Sequence, residues 1–345
     1  MRIFMRTKRL NLALQGGGVH GAFTWGVLQR LLQEQDLEIG WISGTSAGAV
    51  NAVALAHGLA HADVAMASAT LQSVWNAVER AGVPDLMQLN PFLSDLTRSS
   101  AFSSMTNFFS PYEFNPAGFH PLREILMQHI DFDAIRQAEH IGLLIAATDI
   151  ATGRARLFER AELSLEAVLA STCLPNLHHA VEIGGRAYWD GGFSANPDLI
   201  TLASRSPVHD TLLVQLTPVH QAQVPRGSKS IEDRVNMITF NQPLLRDIKT
   251  IALIQQGRRD LFPRRRGQLA RLRTHHFHLV SAGKYTADLA EQSKLIPEKK
   301  LIAYLHQAGS QEMSAWLDRN SHMIGRGSSV DLAEEFTGSP FADSP

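Results

Sequence analysis

Two glycine-containing turns near the start of the chain constrain its fold more than any other feature. Residues 9–15 alternate leucine with polar or small residues, which predicts a strand, and residues 16–21 (GGGVHG) follow it directly. A helical pattern over residues 22–35 and a short strand over residues 37–42 precede a second turn at residues 44–48 (GTSAG), after which a helix of small residues begins. This alternation predicts a parallel α/β sheet, whose sites lie at the carboxyl ends of the strands.

The remaining sequence extends this pattern and then departs from it. Further strands are predicted at residues 140–149, 211–216 and 274–280, with a hairpin partner at 155–158, and helices at 121–127, 163–171, 231–256 (broken or kinked at Pro243) and 299–317. Residues 84–121 hold five prolines and six phenylalanines. They could form ordinary core or an acyl-chain channel and lid, and we favour the channel. We expect a catalytic domain over residues 10–205 and a mostly helical extension over residues 206–345, with a loose tail from about residue 326.

Composition excludes several classes of protein. The 345 residues include 32 Lys and Arg against 33 Asp and Glu, a net charge of −1, which argues against a nucleic-acid partner bound to a basic coat. Cys173 is the single cysteine, so an intrachain disulfide and a multi-cysteine metal site are excluded, and no metal-ligand spacing such as H-E-x-x-H occurs. Residues 41–62 are uncharged but interrupted by polar side chains, which favours a buried helix over a membrane span. The N-terminus lacks the apolar core of a secretory signal, so we expect a cytoplasmic protein.

The first turn, GGGVHG, fits two functional interpretations. It matches G-x-G-x-x-G between a predicted strand and a predicted helix, and Asp36 lies 20 residues after Gly16, as in a dinucleotide-binding fingerprint. A tight strand-to-helix turn without a ligand explains the glycines equally well. In either functional case, free backbone N–H groups at a helix N-terminus would form a cradle for an anion, whether a phosphate or an oxyanion.

The second turn, GTSAG, favours the oxyanion. It is a G-x-S-x-G sequence between a predicted strand and a predicted helix, the context of a nucleophile elbow that exposes Ser46. The following helix would direct its N-terminus toward developing negative charge. A nucleotide-binding domain needs no serine elbow here, and neither turn continues into the Gly-Lys-Ser/Thr of a Walker A motif.

A third motif supplies a candidate base. Asp190-Gly191-Gly192 alone is most simply a turn. Beside a serine elbow, Asp190 becomes a candidate general base for Ser46. A carboxylate with a pKa near about 4 is a weak base, so burial or hydrogen bonding would have to raise its pKa.

The ordered set GGGVHG, GTSAG and DGG resembles the patatin-like phospholipases over about residues 10–203. The resemblance implies a three-layer α/β/α sandwich with a mainly parallel central sheet, and a Ser-Asp dyad with Ser46 as nucleophile and Asp190 as base. It implies oxyanion-hole amides from four residues of the first turn: Gly16, Gly17, Gly18 and Val19. The residues that support the motifs would be His20, Gly21, Gly44, Ala47, Gly48, Gly191 and Gly192. The family usually has Lys or Arg where this chain has His20, so a fixed positive charge is lost unless His20 is protonated.

The resemblance implies a serine hydrolase that cleaves fatty-acyl esters of lipids through an acyl-Ser46 intermediate, with no metal or organic cofactor. One alternative is an α/β-hydrolase with a Ser-Asp-His triad, completed by His209 or His220. Ser46 follows the first strand too soon for that fold. Another alternative is a non-catalytic module that binds a nucleotide or a lipid through the Gly-rich turn.

A block of seven arginines lies within residues 258–273. A solvated loop is its simplest interpretation. Contact with an anionic lipid surface through Arg264, Arg265 and Arg266 is the alternative, because a lipid hydrolase must reach an insoluble substrate. The protein would then be cytoplasmic and peripheral at the membrane.

Overall fold

The computed structural model describes residues 7–88, 110–221, 224–256, 267–287, 289 and 291–337. Its strands are β1 (Lys8–Leu14), β2 (Leu37–Thr45), β3 (Gly142–Asp149), β4 (Ala155–Glu159), β5 (Val181–Ile183), β6 (Arg186–Asp190), β7 (Asp210–Gln215) and β8 (His276–Ser281). Its α-helices are α1 (Gly21–Leu31), α2 (Ala47–Ala60), α3 (Val64–Gln88), α4 (Pro111–Phe114), α5 (Pro121–His129), α6 (Phe132–Gln137), α7 (Leu165–Ser171), α8 (Ile200–Arg205), α9 (Ser228–Gln256), α10 (Gln268–Arg273), α11 (Gly283–Thr286), α12 (Lys299–Asn320) and α13 (Leu332–Thr337).

The strands form one mixed sheet in the order β5-β6-β3-β2-β1-β7-β8, and β4 pairs with β3 outside this path. The pairs among β1, β2, β3, β7 and β8 are parallel, whereas β4, β5 and β6 join antiparallel. Strands β1 and β2 therefore end at the same edge, which places both glycine turns side by side, as predicted.

Helices cover both faces of the sheet because neighbouring residues of its strands enter different cores. Leu12 and Leu212 belong to a core shared with α1, α2, α3 and α12. Ala13 and Leu213 belong to a second core shared with α8, α9, α10 and α13. Alternation of this kind follows from the two-residue period of a strand. The predicted three-layer α/β/α sandwich with a helical C-terminal region is confirmed.

The segment after residue 205 contributes to the central sheet as well as to the helical layers. Strands β7 and β8 continue the sheet beyond β1, and α9 runs without a break through Pro243. Within the predicted loose tail, Leu332 and Phe336 of α13 are buried in the second core. The domain boundary at residue 205 stays a prediction.

Two predicted features fall partly or wholly outside the described residues. Of the phenylalanine-rich segment 84–121, residues 89–109 lie outside them, and so do Arg264, Arg265 and Arg266. Within the described parts of the chain, no helix combines the length and the apolar character needed to cross a bilayer.

Candidate active site

Ser46 occupies a strained turn between β2 and α2. Its φ of 53° and ψ of −123° lie in a region that non-glycine residues rarely adopt. The flanking glycines are required by close packing, because a Cβ on Gly48 would come 2.1 Å from the Leu14 carbonyl oxygen and one on Gly44 2.6 Å from the Gly48 carbonyl oxygen. The strand, the sharp turn and the partly exposed serine together have the form of a nucleophile elbow.

The sheet register brings Asp190 to the same edge. Thr45, the last residue of β2, pairs with Ala146 of β3, and the next residue of β3, Ala147, pairs with Asp190 at the end of β6. A 3-10 turn follows, Gly191–Phe193. Gly191 fits beneath the elbow, since a Cβ there would come 2.2 Å from the Ala146 carbonyl oxygen and 3.0 Å from Thr45 Cγ2.

Asp190 is fully buried, and burial raises the pKa of its carboxyl to about 7. The Gly192 N–H donates to Oδ1 at 2.7 Å, and this bond and the nearby Ser46 hydroxyl lower the pKa in part. Asp190 Oδ2 has no hydrogen-bond partner of ordinary geometry among the described residues. The Ser46 hydroxyl is thus close enough to lower the pKa of Asp190, whose Oδ2 is an unused hydrogen-bond acceptor. Catalytic hydrogen bonds are often long before substrate binds.

The Gly-rich turn packs directly beside the nucleophile. A Cβ on Gly16 would lie 2.8 Å from Ser46 Cβ. The Gly16 N–H donates to Asn196 Oδ1 at 2.8 Å and is therefore already engaged. The amides of Gly17, Gly18 and Val19 precede or begin a 3-10 turn, and they donate no hydrogen bond within the described part of the chain. They remain available to an anion.

His20 does not carry a positive charge in this structure. Burial, followed by the charge of Lys294, lowers the pKa of the ring to about 3. Its Nε2 lies 2.8 Å from Ser293 Oγ. Lys294 also covers Gly18, where a Cβ would come 2.2 Å from the Lys294 carbonyl oxygen and where φ is +56°. The His20 ring is therefore unprotonated near neutral pH and does not supply the positive charge.

Several residues of the site were not predicted from the sequence. The Ser46 N–H donates to Ser171 Oγ at 2.9 Å, and the Thr45 hydroxyl donates to the Ala195 carbonyl at 2.7 Å. Ser293 and Lys294 reach the Gly-rich turn from the C-terminal segment, and Asn196 from the loop after β6. The DGG motif places its loop, but only the folded structure identifies these contacts.

Residues considered for other functions lie elsewhere or have other partners. Asp36 pairs with Lys8 at 3.5 Å, at the opposite end of β1 from the Gly-rich turn, where it cannot serve a nucleotide bound there. His209 precedes β7 at that same far edge, and His220 is exposed. Cys173 is buried with a thiol pKa raised to about 12, mainly by burial, and its carbonyl accepts the Asp190 N–H at 2.7 Å. No group of three or more metal-ligating side chains occurs in the described ranges.

Comparison with known proteins gives a family match and a structural likeness. The sequence model described as patatin-like phospholipase matches residues 12–203, more than half of the chain. The chain is also similar to the crystal structure of VipD from Legionella pneumophila, with 14% sequence identity, coverage of 90% of this chain and 67% of that chain, and a TM-score of 0.45. Curated protein sequences gave no match.

Proposed function

Since this chain belongs to the patatin-like phospholipase family, we propose that it hydrolyses fatty-acyl esters of lipids through a Ser46–Asp190 dyad and an acyl-Ser46 intermediate. The resemblance predicted from the three motifs is confirmed by the family match, and the family supports lipid acyl hydrolysis in general. The dyad itself rests on one observation above all. The fully buried Asp190 carboxylate has an oxygen without a partner, and Ser46, on a strained elbow, is close enough to lower its pKa.

In the first half-reaction, Asp190 takes the Ser46 hydroxyl proton while Oγ attacks the ester carbonyl. The amides of Gly17, Gly18 and Val19 donate to the oxyanion, aided by the N-terminus of α2. The tetrahedral intermediate collapses when the ester oxygen leaves with the proton that Asp190 returns. An acid whose pKa is near 7 suits both proton transfers at neutral pH.

In the second half-reaction, Asp190 removes a proton from water, which attacks the acyl-Ser46 carbonyl. The same amides stabilise the second oxyanion, and its collapse releases the fatty acid as Ser46 Oγ leaves with the proton that Asp190 returns. The scheme uses no histidine, metal or organic cofactor. Neutral His20 supports the Gly-rich turn through Ser293 and takes no part in proton transfer.

The test is hydrolysis of a panel of phospholipid, lysophospholipid and acylglycerol by the wild-type chain and Ser46→Ala, with released fatty acids identified. A fluorophosphonate probe, which reacts with activated serines, should label wild type and not Ser46→Ala. Absence of both labelling and hydrolysis in the wild type would favour a binding module. Loss of activity in His209→Ala or His220→Ala, with Asp190→Asn active, would favour a Ser-Asp-His triad.

We also propose that the arginine block contacts anionic lipid surfaces. The support is the sequence, because Arg264, Arg265 and Arg266 lie outside the described residues. Each basic residue near an anionic membrane contributes about 1 kcal/mol of binding. Replacing all three by Gln should weaken sedimentation with vesicles of anionic lipid and leave sedimentation with neutral vesicles unchanged. Equal sedimentation with anionic vesicles would leave the block as a solvated loop.

A further inference from the structure

The loop that follows Asp190 is bonded to both other parts of the site. The Thr45 hydroxyl, next to the nucleophile, donates to the Ala195 carbonyl at 2.7 Å. The Gly16 N–H, at the start of the Gly-rich turn, donates to Asn196 Oδ1 at 2.8 Å. One loop therefore carries the base and sets the positions of the elbow and the oxyanion donors relative to it.

Asn196 is the more demanding of these two contacts because its side chain is fully buried and both ends of its amide are used. Oδ1 accepts from Gly16, and Nδ2 donates to the Phe240 carbonyl of α9 at 2.9 Å. The side chain thus connects the Gly-rich turn to a long helix of the opposite layer. Such a bridge, made of two hydrogen bonds, fixes its partners in one arrangement.

Gly16 lies between Asn196 and the nucleophile. A Cβ on Gly16 would come 3.1 Å from Asn196 Oδ1 and 2.8 Å from Ser46 Cβ, so a small displacement of Gly16 changes the gap beside the serine. Binding the Gly16 N–H also fixes the peptide between Gln15 and Gly16, from which the Gly-rich turn starts. The amides of Gly17, Gly18 and Val19 have no partner within the described part of the chain. Their directions follow from this peptide, which the hydrogen bond to Asn196 holds in place.

We propose that Asn196 is a positioning residue of the oxyanion hole, which holds the Gly-rich turn where its free amides meet the developing oxyanion. Asn196 touches no reacting atom and acts through Gly16. The inference rests on the proposed function, because it requires a reaction at Ser46 that forms an oxyanion. An interaction of this kind stabilises the transition state and not the bound substrate, so its loss lowers kcat and leaves KM nearly unchanged.

The test is Asn196→Ala, with kcat expressed per active site titrated by a fluorophosphonate. We expect kcat to fall roughly 10- to 100-fold, below the loss typical of removing a direct oxyanion donor, with KM changed by less than about threefold. A trifluoromethyl ketone carrying a fatty-acyl chain adds to the serine and forms an oxyanion, so its affinity should fall by a similar factor. If Asn196→Ala does not fold, the same measurements on Asn196→Ser decide the question in the same way.

Asn11 offers a matched control. It is also fully buried and also uses both ends of its amide, with Nδ2 donating to the Val208 carbonyl at 3.1 Å and Oδ1 accepting from the Trp41 N–H at 2.9 Å. It lies in the middle of β1, whereas Asn196 bonds to the Gly-rich turn that follows this strand. Asn11→Ala should lower the denaturant midpoint and leave kcat per titrated site unchanged.

The outcomes separate this inference from the function on which it rests. If wild type neither labels at Ser46 nor hydrolyses lipid esters, the proposed function fails whatever Asn196 does. If wild type does both, an unchanged kcat or an unchanged affinity for the trifluoromethyl ketone in Asn196→Ala overturns the role of Asn196 alone. A parallel loss of both, absent from Asn11→Ala, supports it.

Discussion

Two buried aspartates of the same sheet have opposite surroundings. Asp210 begins β7, at the edge far from the site, and is only 4% exposed. It accepts hydrogen bonds from His276 Nδ1 and His278 Nε2, each at 3.2 Å, and from the Gly325 N–H at 2.9 Å. Burial opposes its ionisation, but these donors outweigh burial and lower the pKa of its carboxyl.

Asp190, at the site edge, is fully buried and keeps far fewer partners. It accepts one hydrogen bond of ordinary geometry, from the Gly192 N–H, and Oδ2 has none among the described residues. Burial dominates, and the pKa rises to about 7. Within the described ranges, Asp210 receives three donors on Oδ1, as suits a carboxylate that stabilises the fold, whereas Asp190, the proposed base, receives one donor and leaves Oδ2 open.

The largest effect that tests this contrast is on turnover. Asp190→Asn should lower kcat roughly 10⁴-fold or more, because no other base adjoins Ser46 in the proposed mechanism. Asp210→Asn, the same change at the other edge, should leave kcat per titrated site unchanged. Initial rates on a short-chain ester give both values. The rates of wild type and Asp210→Asn are divided by the sites that the fluorophosphonate labels, and the rate of Asp190→Asn is divided by the amount of folded protein. Equal losses in the two variants would remove the distinction.

The next effect is on stability, where the two residues should have opposite signs. Asp190 has a raised pKa in the folded state, so the unfolded chain ionises first and the free energy of unfolding falls as pH rises from about 4 to about 7. A shift of this size corresponds to roughly 4 kcal/mol. Asp190→Asn should therefore become increasingly stabilising across that range.

For Asp210 the sign is reversed. Its pKa is lowered in the folded state, so it stabilises the fold above the unfolded pKa, and this contribution is lost as pH falls through the folded pKa. Asp210→Asn should lower the free energy of unfolding by about 1–3 kcal/mol at pH 7, because His276, His278 and the Gly325 N–H then face a neutral amide oxygen in place of a charged carboxylate. Urea unfolding of both variants between pH 4 and 8 measures each sign, and a destabilised Asp190→Asn at pH 8 would contradict the account.

A third effect is the pH dependence of catalysis. Protonation of Asp190 removes the base, so kcat/KM should fall about tenfold per pH unit below pH 7. With a base of ordinary carboxylate pKa, the same fall would begin only at a pH of about 4. Asp247 is the control, because burial also raises the pKa of its carboxyl, to about 6. The acid limb should persist in Asp247→Asn. If the acid limb disappeared in Asp247→Asn, the limb would belong to Asp247 and not to Asp190.

The sheet and the meeting of the candidate residues Ser46 and Asp190 at one end of it could be predicted from the sequence because both depend on local patterns. The strands β1, β2 and β3 are apolar runs that end in glycine turns or in Asp149, and Ser46 and Asp190 lie in short motifs with flanking glycines. The β5–β6 hairpin was missed although its signal was present. Gly184 and Gly185 adopt φ of +58° and +77°, as a two-residue glycine turn favours.

The contacts that support the dyad could not be predicted in the same way. Asn196 meets Gly16 across 180 residues of sequence, and Ser171 meets Ser46 across 125. A single buried polar residue carries no periodic signal, and its partner is fixed only when the sheet register is known. The protonation of His20 likewise depends on burial, which the sequence alone left open.

The smallest effect concerns Ser171, and it extends the comparison to hydroxyl groups. Its fully buried Oγ accepts the Ser46 N–H at 2.9 Å, which holds the strained peptide of the elbow. Ser171→Ala leaves that donor unpaired at a cost of about 1–3 kcal/mol, part of which is relieved by relaxation of the turn. We therefore expect kcat to fall about tenfold.

Ser206 provides the matched change at the far edge. Its Oγ also accepts a backbone N–H, from Val208 at 3.1 Å, and it donates to Asn11 Oδ1 at 2.7 Å. Ser206→Ala should cost a similar free energy of unfolding, about 1–3 kcal/mol, with kcat per titrated site unchanged. If both variants lose stability alike but neither loses kcat, Ser171 supports only the fold, and the strain at Ser46 is held by the glycines and the sheet without it.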